Sequence, residues 1–547
     1  MNLLRTRISS LCAVAVLLGL SAVPASRAQS SYFEEVFLPG LPPVRFGAVA
    51  LGDYDQDGDF DLVVSGLQEQ DEDPEPIVRL YRNDGDDDLI INNASGMLEE
   101  VSVVVLVNTG SIGNSAEERV WQSAAAWGDY DRDGDLDLAV AGLTASGAPS
   151  TRIYEFDGQE SRLITSLSLP GVWSGDLDWG DYDNDGDLDL AVCGRDANDE
   201  PVLAVHENIV DQSGRFQLMS GVLPGVMDCT LEWGDYDVDG DMDLLVTGMV
   251  KPQAFVTRVL RNDGGSFIVT SPDLPGLLFA SGAWGDYDAD GDLDILLSGA
   301  RLSPRIMEGR IEVLRNDDGR FSSANDLLRG AFENDVTLGR YRGAVGWGDF
   351  TNSGYLDFFI TGAKNPLGTE TLQLYRNMVS GTYFAKLGAE RFNGGLFGGA
   401  LWADYDLDLD LDLLVWGDAP GRETTIRMLR NTTLHARRRP VGPTSLEAQV
   451  SDNSVTFSWM EGSDRQSPTL TYNIRVGTMP QAVDVVSPMA DPVTGQRYIS
   501  QRGNIGPATS WTLKGLQPGT YYWSVQALDN TYSGSLFSEQ QVFVIEP

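Results

Sequence analysis

Gly52 to Leu62 reads GDYDQDGDFDL, and nearly the same phrase returns as GDYDRDGDLDL from Gly128, GDYDNDGDLDL from Gly180, GDYDVDGDMDL from Gly234 and GDYDADGDLDI from Gly285. Two looser copies follow at the same phase, GDFTNSGYLDF from Gly348 and ADYDLDLDLDL from Ala403. The chain is therefore a repeat array of seven units. Their first acidic residues, Asp53, Asp129, Asp181, Asp235, Asp286, Asp349 and Asp404, recur at a spacing of roughly 50 to 75 residues, in the range of propeller blades and longer than most solenoid periods.

Within each full copy, carboxylates occupy positions 1, 3, 5, 7 and 9, and a glycine at position 6 allows a tight turn. The five sets are Asp53, Asp55, Asp57, Asp59 and Asp61; Asp129, Asp131, Asp133, Asp135 and Asp137; Asp181, Asp183, Asp185, Asp187 and Asp189; Asp235, Asp237, Asp239, Asp241 and Asp243; and Asp286, Asp288, Asp290, Asp292 and Asp294. A loop so rich in hard oxygen ligands suits calcium, which takes about six to eight oxygens; spacing 1, 3, 5 with a backbone carbonyl at 7 is also used in helix-loop-helix calcium sites. Here residue 9 closes the shell. Magnesium fits less well, because it demands octahedral geometry and keeps its water. Zinc or iron would want the His or Cys that the loops lack. In the seventh copy Leu409 replaces the glycine, so Asp404, Asp406, Asp408 and Asp412 are present while the turn is in question. In the sixth, Thr351 and Ser353 replace two carboxylates, and that loop is expected to hold metal weakly or not at all.

Around each loop the pattern is β-rich. Small residues stand six positions before the first Asp (Gly47, Ser123, Gly175, Cys229, Ala280, Gly343, Gly398), as a crowded innermost strand would require. After the loop come short apolar runs ending in glycine, such as LVVSG, LAVCG and FFITG, which read as buried strands. A third strand carries LYRNDG at Leu80, VLRNDG at Val259, VLRNDD at Val313, LYRN at Leu374 and MLRN at Met428, with a hairpin turn where Asn-Asp-Gly is kept. Leu-Pro-Gly precedes several loops, at Leu169, Leu223 and Leu274, and the same phrase opens the early chain in FEEVFLPG from Phe33. Since the last unit stops after its third strand, residues around Tyr32 to Phe37 are expected to supply its outer strand and close the ring, hiding the edges an open sheet would expose.

These units resemble the FG-GAP (VCBS) repeats of integrin alpha chains, and Phe46-Gly47 and Phe397-Gly398 keep the name-giving pair. The resemblance implies a seven-bladed β-propeller, here over residues 29–434. After a linker at 435–442 containing Arg437 to Arg439, the alternation in SVTFSWM, LTYNIRVGT and WTLKGLQPGTYYWSVQALD resembles a fibronectin type III domain over 443–547, an immunoglobulin-like β-sandwich. In such domains a tyrosine corner forms near Leu516 and Pro518, and alternation with Val525 and Ala527 assigns the inward role to Tyr521. The stretch from Met479 to Gly506 is longer than such a domain needs. The expected fold class is all-β throughout. Having no acidic loop, the sandwich is expected to be indifferent to calcium.

Residues 1–28, with Arg5 and Arg7, an apolar run from Leu11 to Val23 and small residues at Ser26 and Ala28, read as a signal peptide. The expected location is thus secreted, extracellular or at the cell surface, with the periplasm possible, and no later segment has the apolar length of a transmembrane span. A formal charge of -43 argues against nucleic acid or an anionic membrane as partner. Cys193 and Cys229 remain after the signal. They fall in phase with small core positions of other units and read first as such, with a disulfide as the minor alternative. Trp127, Trp179, Trp233, Trp284, Trp347 and Trp402 stand two residues before their loops and read as packing elements between sheets.

The resemblance implies a non-enzymatic binding or adhesion module for an extracellular protein or glycan, with long interruptions such as the acidic Gln68 to Glu75 as places for partner contacts. The alternative is an extracellular carbohydrate-active enzyme such as a polysaccharide lyase. Little in the chain favours it, since His206 lies in a third strand, His435 in the linker, and no nucleophile motif is evident. From ligand count, equilibrium dialysis should find about five or six calcium ions per chain; seven equal sites, or fewer than four, would contradict the reading.

Overall fold

The computed structural model describes residues 32–547 except 37, 39–40, 69–73, 87–88, 93–97, 102–103, 112–117, 158–159, 165–168, 210–215, 220–222, 271–273, 303–306, 332–342, 364–371, 379–380, 388–395, 419–423 and 434–436. The leader at 1–28 and most of the acidic stretch from Gln68 to Glu75 therefore lie outside the described residues.

Seven antiparallel sheets follow one another along the chain. In blade three, for example, the innermost strand Trp173–Gly180 leads into an acidic loop, and Asp189–Arg195, Pro201–Asn208 and Phe216–Leu218 then step outward in order. Blade seven completes itself as expected. Its outer strand is Phe33–Val36, paired with Thr424–Asn431 in the register Phe33 to Asn431 through Val36 to Met428. The seam with blade one is tied by Arg45 on Asp418 at 2.7 Å and by the Trp416 indole N–H donating to the Gly47 carbonyl at 3.0 Å. The chain is an all-β, seven-bladed propeller followed by a fibronectin type III-like sandwich.

The tryptophans are packing elements. Four lie over the loop aromatic of the preceding blade, Trp127 on Tyr54, Trp179 on Tyr130, Trp284 on Tyr236 and Trp347 on Tyr287, with planes within 12° of parallel. This packing explains the glycine that opens the first six repeat phrases: a Cβ on Gly52 would stand 2.8 Å from Trp127, and one on Gly128 2.7 Å from Trp179. Glycine is kept because the next blade's indole occupies the space.

Cys193 and Cys229 form a disulfide, so their first reading as free core residues is corrected. Both are buried, and they join the second strand of blade three to the innermost strand of blade four. The equivalent pair at the first seam is Ser65 and Ser123, whose hydroxyls hydrogen-bond at 2.8 Å. Phase alignment compared each position with its own counterparts in other blades and overlooked that these two positions face each other across a seam.

The sandwich stacks Thr444–Ser451, Ser454–Met460 and Ser510–Leu513 on Thr471–Gly477, Gly519–Leu528 and Gln541–Ile545. Its core holds Phe457, Trp459, Trp523 and Tyr521, whose hydroxyl donates to the Gln517 carbonyl at 2.7 Å in the expected corner. The long stretch 479–506 lies against the propeller. Met489, Tyr498 and Ile499 join the buried cluster around Tyr54 and Trp127, and Arg502 reaches Glu232 at 2.6 Å and the Trp284 carbonyl at 2.7 Å.

Closing a loop of 36 residues, the disulfide should stabilise the chain by about 3–4 kcal/mol. The double variant Cys193→Ser/Cys229→Ser should show that loss in denaturant unfolding, and non-reducing peptide mapping of the parent should recover the two segments joined.

Candidate metal centres

Each acidic loop runs from the end of an innermost strand to the start of the next, and its backbone is fixed by its own first and last carboxylates. Position 1 accepts from the N–H of position 6, as Asp53 does from Gly58 at 3.1 Å and Asp181 from Gly186 at 3.0 Å. Position 9 accepts from the N–H of position 2, as in Asp61 from Tyr54 at 3.0 Å. Its second oxygen takes the N–H of the third-strand asparagine: Asn83 to Asp61 at 2.8 Å, Asn208 to Asp189 at 2.7 Å, Asn262 to Asp243 at 2.7 Å.

Those asparagines are functional residues that the sequence reading took only for hairpin markers. The side-chain amide of Asn208 donates to the Tyr130 carbonyl at 2.7 Å, that of Asn316 to Tyr236 at 2.8 Å and that of Asn377 to Tyr287 at 2.8 Å, clamping the loop of the preceding blade. The signal was available. Asparagine recurs in the third strand even where the turn that follows it is lost, as in LYRN and MLRN.

At position 6 the backbone is left-handed in every loop, with φ between 90° and 105° at the glycines. Leu409 adopts the same turn at φ 74°, and its N–H reaches Asp404 at 3.0 Å, so the seventh loop keeps its shape at the cost of a strained leucine. The doubt about that turn is thereby removed.

Carboxylate oxygens within 4.8 Å of one another come from Asp53, Asp55 and Asp57; from Asp129, Asp131 and Asp137; from Asp181, Asp183 and Asp189; from Asp235, Asp237 and Asp239; and from Asp286, Asp288 and Asp290. These sets could hold a metal ion. Position 7 is absent from them. Asp135 and Asp241 instead accept from the position-4 side chains of the preceding loops, Gln56 and Asn184, each at 2.6 Å, and Asp187 lies 3.9 Å from Arg132. Their side chains link loop to loop, in keeping with a backbone ligand at position 7.

The donor chemistry fits a hard cation. Burial, reinforced by neighbouring carboxylates, pushes Asp53, Asp235 and Asp286 up to about 7, and burial likewise pushes Asp61, Asp243 and Asp294 up to about 9. One oxygen each of Asp53, Asp237, Asp288 and Asp404 is buried without a hydrogen-bond partner. Buried acceptors of this kind want a cation or a proton. In these sets Asp57 and Asp239 are exposed, whereas Asp55, Asp131 and Asp183 are half-buried.

The sandwich covers this face. The Asp53 N–H donates to the Tyr498 carbonyl at 2.9 Å, the Lys514 N–H to the Asn184 carbonyl at 2.8 Å, and the Trp511 indole to the Asn184 side chain at 2.7 Å. The sandwich, expected from its lack of an acidic loop to be indifferent to calcium, is seated on the loops themselves. Beneath it lies a central cavity of about 650 Å³, walled by the innermost strands and closed at the loop end by sandwich residues including Arg502, Asn504 and Asn530. Blades three and four contribute carboxylates to that wall, Asp176, Asp178 and Glu232; burial raises the first to about 6 and the second to about 8. His206 is buried, and burial lowers it to about 4.

Family models support the architecture. The FG-GAP-like repeat family matches residues 129–192 and the fibronectin type III domain matches residues 441–543, so the chain carries both kinds of unit. No curated protein matches. Among solved structures, a fungal alcohol oxidase in complex with copper is similar over 94% of this chain and 100% of its own at 13% identity and a TM-score of 0.45. A lectin from Burkholderia pseudomallei is similar over 72% of this chain and 98% of its own, at 11% identity and a TM-score of 0.45. A variant of Aleuria aurantia lectin in complex with α-methyl-L-fucoside covers 63% and 96%, at 11% identity and a TM-score of 0.33.

The raised carboxylates set a pH dependence. Without a cation, their protonated forms favour the folded state below about pH 4, and that contribution is lost as pH rises through about 7 and then about 9. In chelator the melting temperature should therefore fall between pH 5 and 9. With saturating calcium, which displaces those protons, the fall should vanish or reverse. Parallel pH profiles in both conditions would contradict metal binding at these loops.

Proposed function

We propose that the protein is a secreted, calcium-binding propeller serving as a non-enzymatic binding or adhesion module for an extracellular protein or glycan. The observation that carries this reading is the position of the carboxylate sets: they ring one face, and the chain's own sandwich roofs them. Calcium there stiffens the scaffold and its seat for the sandwich, while contact with a partner falls to the opposite end and to the interruptions between blades one and two and between five and six. The disulfide between blades fits an oxidising compartment. No helix among the described residues is long and apolar enough to cross a membrane.

A second reading, a carbohydrate-active enzyme, draws on Asp176 and Asp178, two cavity-lining carboxylates raised toward neutrality. Their hydrogen bonds point to a structural task instead. Asp176 bridges the Leu177 and Leu231 N–H groups, and Asp178 those of Trp179 and Trp233, tying blade three to blade four. Glycan and matrix-protein arrays, run with calcium and with chelator beside lyase and hydrolase assays on a polysaccharide panel, separate the two. Binding without turnover is expected; turnover abolished by Asp176→Asn or Asp178→Asn in a folded variant would establish the enzyme.

A further inference from the structure

The sixth loop does not fit a metal. Thr351 stands at position 3, and both its hydroxyl and its N–H donate to one oxygen of Asp357, at 2.8 and 3.0 Å. Asp349, at position 1, receives the N–H groups of Ser353 at 2.8 Å and Gly354 at 2.6 Å. It also receives a fully buried cation. The Arg437 guanidinium, from the stretch read as a linker, donates through one terminal nitrogen to Asp349 at 2.9 Å and to the Asn352 side-chain oxygen at 3.1 Å. Its Nε donates to Asp529 of the sandwich at 3.1 Å, and its other terminal nitrogen to the Ser467 hydroxyl at 2.7 Å. The side chains of Arg437, Asp349 and Asp529 are all 0% exposed.

We propose that the sixth loop is a guanidinium site: it takes Arg437 as its permanent cation in place of a metal ion and thereby latches the sandwich to the propeller independently of calcium. The planar fork of arginine suits this task, because it engages one carboxylate from each body and a neutral oxygen beside each. Lysine would offer one point charge and could not span both. Asn352 extends the latch, since its amide also donates to Asp410 of the seventh loop. Asp529 is held ready by the Thr531 hydroxyl at 2.8 Å and the Ser533 N–H at 3.1 Å, so the arginine meets a preformed acceptor.

The inference rests on the calcium reading in only one of its two tests. In the first, calcium bound to the full-length chain is counted by equilibrium dialysis for the parent, Asp349→Asn and, as control, Asp239→Asn. The sixth-loop variant should bind as many ions as the parent while the control loses one; loss of an ion in Asp349→Asn would overturn the proposal. The second uses chelator and needs no bound calcium. Removing one member of a buried pair leaves the other uncompensated, so Arg437→Met should raise protease cleavage near residue 437 roughly a hundredfold over the parent. Asp349→Asn, which weakens the same contact but keeps its shape, should give a smaller rise, and the double variant should fall well short of the product of the two effects. Equal cleavage of parent and Arg437→Met in chelator, or fully multiplicative effects, would refute the latch even if no loop binds calcium.

Discussion

Each acidic loop carries its ninth aspartate buried and its first buried or half-buried, and the ring depends on what offsets their charge. Both oxygens of the ninth residue and one of the first are spent on backbone N–H groups that shape the loop, as in Asp61 and Asp53. Those bonds are strongest to ionised carboxylates, yet burial drives the same groups toward protonation. A cation in the cradle resolves the conflict, since it keeps the carboxylates charged and hence good acceptors. Proton or metal at one set of oxygens is the central choice in this fold, and at the sixth loop Arg437 of the same chain fills the cation's place through an ion pair with Asp349.

No loop stands alone. The opening glycine of one repeat receives the tryptophan of the next, the third-strand asparagine reaches back to the previous loop's backbone, and position 4, where its side chain is polar, reaches forward to position 7 of the following loop. All three contacts cross the seam between blades three and four, whereas the next two seams, with Val238 and Ala289 at position 4, carry the tryptophan and asparagine contacts. Disturbance of one cradle is transmitted to both neighbours through fixed hydrogen bonds and stacked rings, which is why the ring is better understood as one cooperative layer than as independent sites.

Much of this was legible in the sequence because it repeats. The acidic phrase, the apolar run, the tryptophan phase and the displaced strand at Phe33 each recur or are conspicuously missing, and recurrence separates a structural requirement from chance. What the sequence withheld were contacts made once or made between unlike positions. The Cys193–Cys229 bond joins two different phases of the repeat. Arg437 occurs in a basic run that resembles any solvated linker, and only the fold reveals that it is buried while Arg438 and Arg439 face solvent. The stretch 479–506 carries no strand pattern because it pairs with its own sheet only through isolated bridges, at Val486 and Gly506, and spends Met489, Tyr498 and Ile499 on the propeller.

The roof over the loops changes what calcium means for the molecule. The sandwich docks through backbone groups of the acidic loops, at Asp53, Asn184 and Asp349, whose positions exist only while each loop holds its turn. Any ion that favours the ordered loop must then favour the docked sandwich, and by linkage the docked sandwich must raise the affinity of those loops for the ion by the same factor. The two bodies are therefore coupled without any residue of the sandwich having to touch a metal. Loop six breaks the symmetry of that arrangement. Because its cation is part of the chain, one point of attachment survives whatever the calcium concentration, so loss of metal would loosen the roof about a fixed corner and not release it. A scaffold built this way can let its acidic-loop face breathe while keeping its two domains in register.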